Sequence, residues 1–292
     1  MKLVKQDAVY FSTDRTMPAS TRMHPTCVSE DTLDILLRYY KNNQPEQVKK
    51  YCVEHGLDEV VFGLLSADVL YVLPITKKSK VLYYNCGLGA EVVATASFAD
   101  EVWGIDQDSV CISFCRYRKE YAGISNIFFE TQELLLEKIQ DRSFDVIVCT
   151  LVSSCGKEGS LEKIREENKK RLTIAHRLLN PGGTLCIRIE NKKSIATFFS
   201  KNKYAYTQKE AFKLLSSVGF LNAPSVYAAY PSSSFPRILI PYKDIQGFDF
   251  VLRRAMSNKK VMGLLVRLLL RIPGFVKYCR RFFHGYIFCI VK

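Results

Sequence analysis

Acidic residues end at Asp249, while Arg253, Arg254, Lys259, Lys260, Arg267, Arg271, Lys277, Arg280, Arg281 and Lys292 all follow it. The formal net charge of +13 is therefore concentrated at the C-terminal end and does not describe a uniformly basic surface. None of the ten cysteines (Cys27, Cys52, Cys86, Cys111, Cys115, Cys149, Cys155, Cys186, Cys279, Cys289) is spaced CxxC, and several sit in apolar runs. That disfavours a zinc ribbon or a disulfide scaffold and reads as buried reduced thiols. The start, MKLVKQDAVYF, lacks the apolar core and cleavage site of a secretory signal, so the expected location is the cytoplasm. The most apolar run, VMGLLVRLLL at 261–270, is too short for the roughly 20 residues that span a bilayer, and Arg267 interrupts it. Wholesale disorder is unexpected too, because 48% of the 292 residues are hydrophobic, enough for a sizeable core.

What the chain does have is one stretch, 81–106, that orders the rest: VLYYNCGLGAEVVATASFADEVWGID. An apolar run at 81–84 has the pattern of a buried strand. A tight turn of small residues follows at 85–90, then an apolar helical segment at 91–97, then a second strand ending on Asp106. Glycines let the chain reverse sharply and let a ligand lie against main-chain atoms with no Cβ in the way. A carboxylate about 20 residues past the glycines, at the tip of the next strand, is placed to accept hydrogen bonds from ribose hydroxyls. The stretch predicts a nucleoside-binding strand–helix–strand unit.

Alternation continues beyond it. Helices are expected at 109–121, 132–139 and 161–179, and strands at 126–129, 143–150 and 184–189. The turn Asn180-Pro181-Gly182-Gly183 separates the long helix from the strand after it, since proline and glycine stop a helix. Thr207-Gln208-Lys209-Glu210 is a capping box opening a helix that Gly219 closes, and strands are expected at 224–229 and 285–291. The expected fold is α/β, a doubly wound seven-stranded sheet. Its divisions are a mostly helical N-terminal cover or lid at 1–78, a core at 79–230, a basic insertion at 231–282 and a final strand at 283–292. The insertion opens with a loop punctuated by Pro231, Pro236 and Pro241.

The VLYYNCGLG turn, VWGID, SFDVIVC, and LNPGG before TLCIRI together resemble the class I S-adenosylmethionine-dependent methyltransferases. The resemblance covers 79–230 and the last strand. It implies S-adenosylmethionine as cofactor, with Gly87 and Gly89 against its methionine part and Tyr84, Asn85 and Cys86 completing the turn. Asp106 would hold the ribose hydroxyls, Gln107 would lie beside the adenine, Gln132 or Glu133 would meet the adenine amino group, and Thr150 would face the sulfonium and substrate. Two positions depart from the family pattern: Tyr83 stands where an acidic residue is usual, and Asn85 where the first glycine is. Asparagine tolerates the left-handed backbone better than most residues. The missing carboxylate removes one polar anchor, which leaves an active enzyme and a catalytically inactive relative as two readings.

Residues 230–241, YPSSSFPRILIP, with the helical region and closing strand after them, loosely resemble methyltransferases associated with bacterial cell-surface polysaccharide and glycan assembly. That likeness implies O-methylation of a sugar or glycan-precursor hydroxyl, on a small molecule or a lipid-linked carrier. A hydroxyl acceptor needs a base, and Glu190, after the fifth core strand, is the candidate, with a solvated loop charge as its other reading. No metal set stands out. For the basic segment at 251–281, packing on the sheet, an anionic membrane surface and nucleic acid are the readings, the last without any accompanying RNA-binding motif. A nicotinamide-dependent enzyme is disfavoured by Val92 at the third glycine position, and a membrane-docked scaffold with no activity is the rival from outside the enzymes.

Overall fold

The computed structural model describes residues 5–6, 9–11, 28–62, 66–139, 141–151, 160–194, 205–231, 233, 236–255, 272 and 274–292. The expected apolar helix at 261–270 lies outside the described residues, as do Cys27 and Cys155. One mixed sheet runs through the molecule. Its strands are β1 (Lys5–Gln6), β2 (Val9–Phe11), β3 (Lys80–Tyr84), β4 (Glu101–Asp106), β5 (Ile127–Thr131), β6 (Phe144–Thr150), β7 (Leu179–Glu190), β8 (Ser225–Pro231), β9 (Pro236–Pro241) and β10 (Gly285–Val291).

The order across the sheet is β1-β2-β9-β8-β10-β7-β6-β3-β4-β5. From β5 to β7 the pairs are parallel, and β10 slots antiparallel between β7 and β8. The expected seven strands are therefore present, closed by the antiparallel hairpin-like end, and three more extend the β8 edge. One of these, β9, occupies what reads in sequence as a proline-punctuated loop. Pro236 and Pro241 fall at its two ends, where a missing N–H costs least, and the residues between them supply the donors that pair with β8. The other two, β1 and β2, add a short antiparallel pair at the outer edge, within the stretch expected to be mostly helical.

Both faces of the sheet are covered, which is why its central strands are apolar throughout. On one face, Tyr84, Cys149, Ile187 and Phe288 pack with Leu172 and Ala175 of α7 (Leu161–Leu178), Leu215 of α8 (Gln208–Ser217) and Phe248 of α9 (Ile245–Ala255). On the other, Tyr83, Val148 and Cys186 pack with Val92 of α4 (Ala90–Thr95) and Phe114 of α5 (Ser109–Ala122). Leu36 of α1 (Glu30–Lys41) and Val48 and Cys52 of α2 (Pro45–Glu54) join this second core, so the described helices before the sheet cover that face.

Local signals set the breaks. The capping box at α8 forms in full: the Thr207 hydroxyl accepts from Glu210 N–H (3.2 Å), and the Glu210 carboxylate accepts from Thr207 N–H (2.7 Å). The Pro-Gly-Gly turn is absorbed into β7 as an irregularity: pairing with β6 slips between Phe144–Leu179 and Val146–Thr184, and Gly182 takes φ +77°. No helix among the described residues is long and apolar enough to cross a membrane.

Candidate functional site

The site begins at the turn between β3 and α4. Asn85, Gly87 and Gly89 all adopt left-handed φ, at +61°, +53° and +71°. This alternation is what a chain needs to fold back tightly, and Asn85 takes the first of the three positions at a cost glycine would not incur. Among the described residues a Cβ built at Gly87 would meet nothing within 4 Å, whereas one at Gly89 would lie 2.9 Å from both Cys115 Sγ and the Phe129 ring. The two glycines thus do different work. Gly89 lets the turn press onto α5 and β5, and Gly87 leaves bare main chain facing open space.

Asp106 closes the turn from the tip of β4. Its Oδ2 accepts from Gly87 N–H (2.9 Å) and its Oδ1 from Asp108 N–H (3.1 Å). A carboxylate has about four lone-pair positions, so acceptor capacity remains for hydroxyl donors. Asp108 caps α5, accepting from Val110 N–H (2.8 Å). Gln107, next along, donates to the Gln132 carboxamide (3.3 Å) at the start of α6 (Gln132–Lys138), which brings two of the expected residues together. Glu133, one position further on, is exposed.

Cys86 N–H donates to Ile105 carbonyl (2.9 Å), tying the turn to β4. Contact with Cys115 and burial raise the Cys86 thiol well above its ordinary value, and burial raises Cys111 likewise, so these thiols around the turn are neutral packing groups. Thr150 ends β6, level with Asn85, whose carboxamide donates to the Thr150 carbonyl (3.5 Å). Tyr84 contributes only its main chain to this edge. Its side chain is buried in the α7-side core, and its hydroxyl has no partner among the described residues. Glu190 ends β7, half-buried, with its carbonyl accepting from Tyr206 N–H (3.0 Å).

Tyr83, at the position where an acidic residue is usual, points under α4 and away from Gly87. The Thr95 hydroxyl donates to the Glu91 carbonyl (2.7 Å), so the Tyr83 hydroxyl is the donor in its 2.6 Å bond to Thr95. No atom of that ring lies within 4 Å of a Cβ built at Gly87.

Sequence reasoning misses one feature. Glu91, in the first turn of α4, forms a bidentate ion pair with Arg188 of β7: Nη2 to Oε2 is 2.8 Å, and Nη1 meets Oε1. The side chains are 16% and 3% exposed, so this is a buried pair, and breaking one of that kind costs on the order of 3–5 kcal/mol. Burial lifts the Glu91 carboxyl above its ordinary value while Arg188 pulls against it; burial acts to lower Arg188, but the Glu91 carboxylate holds it higher still. The available signal was a lone charge in each of two apolar runs, AEVVAT and TLCIRI.

The cradle passes a simple fit test for a nucleoside carrying an amino-acid tail: bare main chain beside open space at Gly87, and a carboxylate with spare acceptors opposite. Phosphoethanolamine N-methyltransferase 2 of Haemonchus contortus is 15% identical, with a TM-score of 0.50; the match covers 91% of this chain and 60% of that one. A possible histamine N-methyltransferase of Thermotoga maritima is 14% identical over 89% of this chain and 99% of that one, with a TM-score of 0.49. A methyltransferase of Archaeoglobus fulgidus is 14% identical over 82% and 99%, again with a TM-score of 0.49. At such identities the likeness is one of fold. No curated protein sequence matches the chain. The model of a methyltransferase domain matches residues 75–225, more than half of the chain and the whole of the site from the glycine turn to β7. The chain belongs to that methyltransferase domain family.

Proposed function

We propose that the site holds S-adenosylmethionine and that the chain transfers its methyl group to a hydroxyl of a sugar or glycan precursor. One observation carries the cofactor part: three left-handed residues at the end of a parallel strand, with Asp106 anchored on Gly87 and open space beside it. In this reading Gly87 and Gly89 lie along the methionine part and Asp106 takes the ribose hydroxyls. Gln107 and Gln132, already bonded to each other, form the adenine edge with Glu133 next to them.

The cofactor supplies a methyl group already activated on a cationic sulfur. The protein's part is orientation, holding an acceptor in line near Thr150, an effect able to supply several kcal/mol of barrier reduction. A hydroxyl acceptor also needs its proton removed, and Glu190, on β7 two residues beyond Arg188, is the base in this reading. Support for an anionic or lipid-linked acceptor is the basic C-terminal end of the chain, a charge argument alone. Co-sedimentation with anionic vesicles at low salt tests the surface part, and no pelleting counts against it. Methyl transfer to a panel of sugar nucleotides and lipid-linked sugars tests the acceptor, where incorporation into none of them removes the glycan reading.

The absence of a carboxylate at Tyr83 favours a second reading, a scaffold that keeps the fold without the reaction. Calorimetry separates the two, since a scaffold without a working cradle gives no heat with S-adenosylmethionine.

A further inference from the structure

The family's usual acidic residue at the head of the turn is Tyr83 here, with its hydroxyl committed to Thr95. A carboxylate nevertheless reaches the same neighbourhood from another element. Glu91 lies two residues after Gly89, and its partner Arg188 sits on β7 opposite Thr150 of β6. Asn85 at the end of β3 bonds to that same Thr150. The Glu91–Arg188 pair therefore bridges α4 to β7 across β3 and β6, at the level of the sheet edge where the glycine turn opens. A buried ion pair is no more stabilising than a well-packed apolar pair of the same volume, so stability alone does not account for it. Two of the four lone-pair positions on the Glu91 carboxylate are used by Arg188, and Arg188 Nε, in a side chain 3% exposed, has no partner among the described residues.

We propose that Glu91 replaces the carboxylate missing at position 83 and receives the ammonium group of the cofactor's amino-acid end, with Arg188 as the positioning residue that aims it. This rests on the reading of the site as an S-adenosylmethionine site. The charge arrangement fits: an ammonium group beside Glu91 restores a second positive neighbour to a carboxylate that burial disfavours. The titratable groups facing Glu91 are Arg188 and Cys186 from β7 and Tyr83 from β3; contact with Cys289 and burial keep Cys186 neutral and burial keeps Tyr83 neutral, leaving Arg188 as the charged one.

The test is calorimetric binding of S-adenosylhomocysteine, which has the same amino-acid end without the methyl group, against 5′-methylthioadenosine, which has none. Glu91→Gln should lose about tenfold or more in affinity for S-adenosylhomocysteine and leave 5′-methylthioadenosine unchanged. Arg188→Met should strip Glu91 of its counter-charge and raise its carboxyl further, so affinity for S-adenosylhomocysteine should climb with rising pH more steeply than in the wild type. A merely structural role would weaken both ligands together and give no such pH slope. Equal affinity of Glu91→Gln and wild type for S-adenosylhomocysteine overturns the proposal. If the variants do not fold, the wild type decides: an analogue of S-adenosylhomocysteine with hydrogen in place of the amino group should bind about tenfold more weakly, and equal binding overturns the proposal. Wild-type protein that binds neither S-adenosylmethionine nor S-adenosylhomocysteine is a different failure, that of the site reading itself.

Discussion

At the scale of single residues, the two glycines of the turn make separable predictions. Gly89→Ala places a methyl group 2.9 Å from Cys115 Sγ and the Phe129 ring at φ +71°, so it should destabilise the fold by about 1–3 kcal/mol, read as a lowered melting midpoint. Gly87→Ala meets no neighbour and carries only the backbone cost of about 1–2 kcal/mol, yet its methyl enters the cradle. It should therefore melt less far below wild type than Gly89→Ala does, while binding the cofactor much more weakly. If both variants melt alike and bind alike, the division of labour between the two positions is wrong. Asp106→Ala should lose most of the affinity for S-adenosylmethionine, about tenfold or more, and unchanged affinity would remove the ribose assignment. The glycine turn at Gly87 and Gly89 and the place of Asp106 at the tip of the next strand were legible from the residues, because both depend on local spacing, whereas Gln107 and Gln132 came from the family resemblance and the bond between them was not read from the sequence. The Glu91–Arg188 pair was not, since its members are far apart in sequence and meet only after β7 is laid beside β6.

Among the elements, the helices with cap signals formed where their sequences indicate. The α8 capping box gives a quantitative check: Thr207→Ala should cost about 1 kcal/mol, measured by denaturant unfolding, and no change would mean the cap contributes nothing. It also carries a pH dependence. Burial works to raise Glu210, but the bonds from Thr207 N–H and hydroxyl, with Lys192 and Arg165, hold it below the ordinary glutamate range. The unfolded chain therefore binds a proton there first as pH drops. The cap's contribution is full above the ordinary range and is lost as pH falls through the lower folded value. Wild type should accordingly converge toward Thr207→Ala in acid, and a difference that persists there would contradict the assignment. Three strands were misread for physical reasons. Proline at 236 and 241 marks a loop in most contexts, and β9 accommodates both because they fall at its ends. The short β1 and β2 carry too few residues to show a period, and their pairing depends on an edge supplied by β9.

For the molecule as a whole, two buried cores on either side of one sheet leave the strand ends as the place where side chains from distant segments meet. Asp106, Thr150, Arg188 and Glu190 all arrive there because parallel strands share a direction. Fold class was legible in the alternation of apolar runs with helical segments, while the place of the closing strand followed from the family resemblance, and β10 between β7 and β8 completes the methyltransferase arrangement. The acceptor was not legible, because it is chosen by the shape of a pocket that no single motif encodes. The central claim is that the glycine turn and Asp106 form a cradle for S-adenosylmethionine. Isothermal titration of the full chain with S-adenosylmethionine and, separately, with NAD tests it most directly. Saturable heat with S-adenosylmethionine and none with NAD is the expected result; silence with S-adenosylmethionine, or binding of NAD in its place, would contradict it.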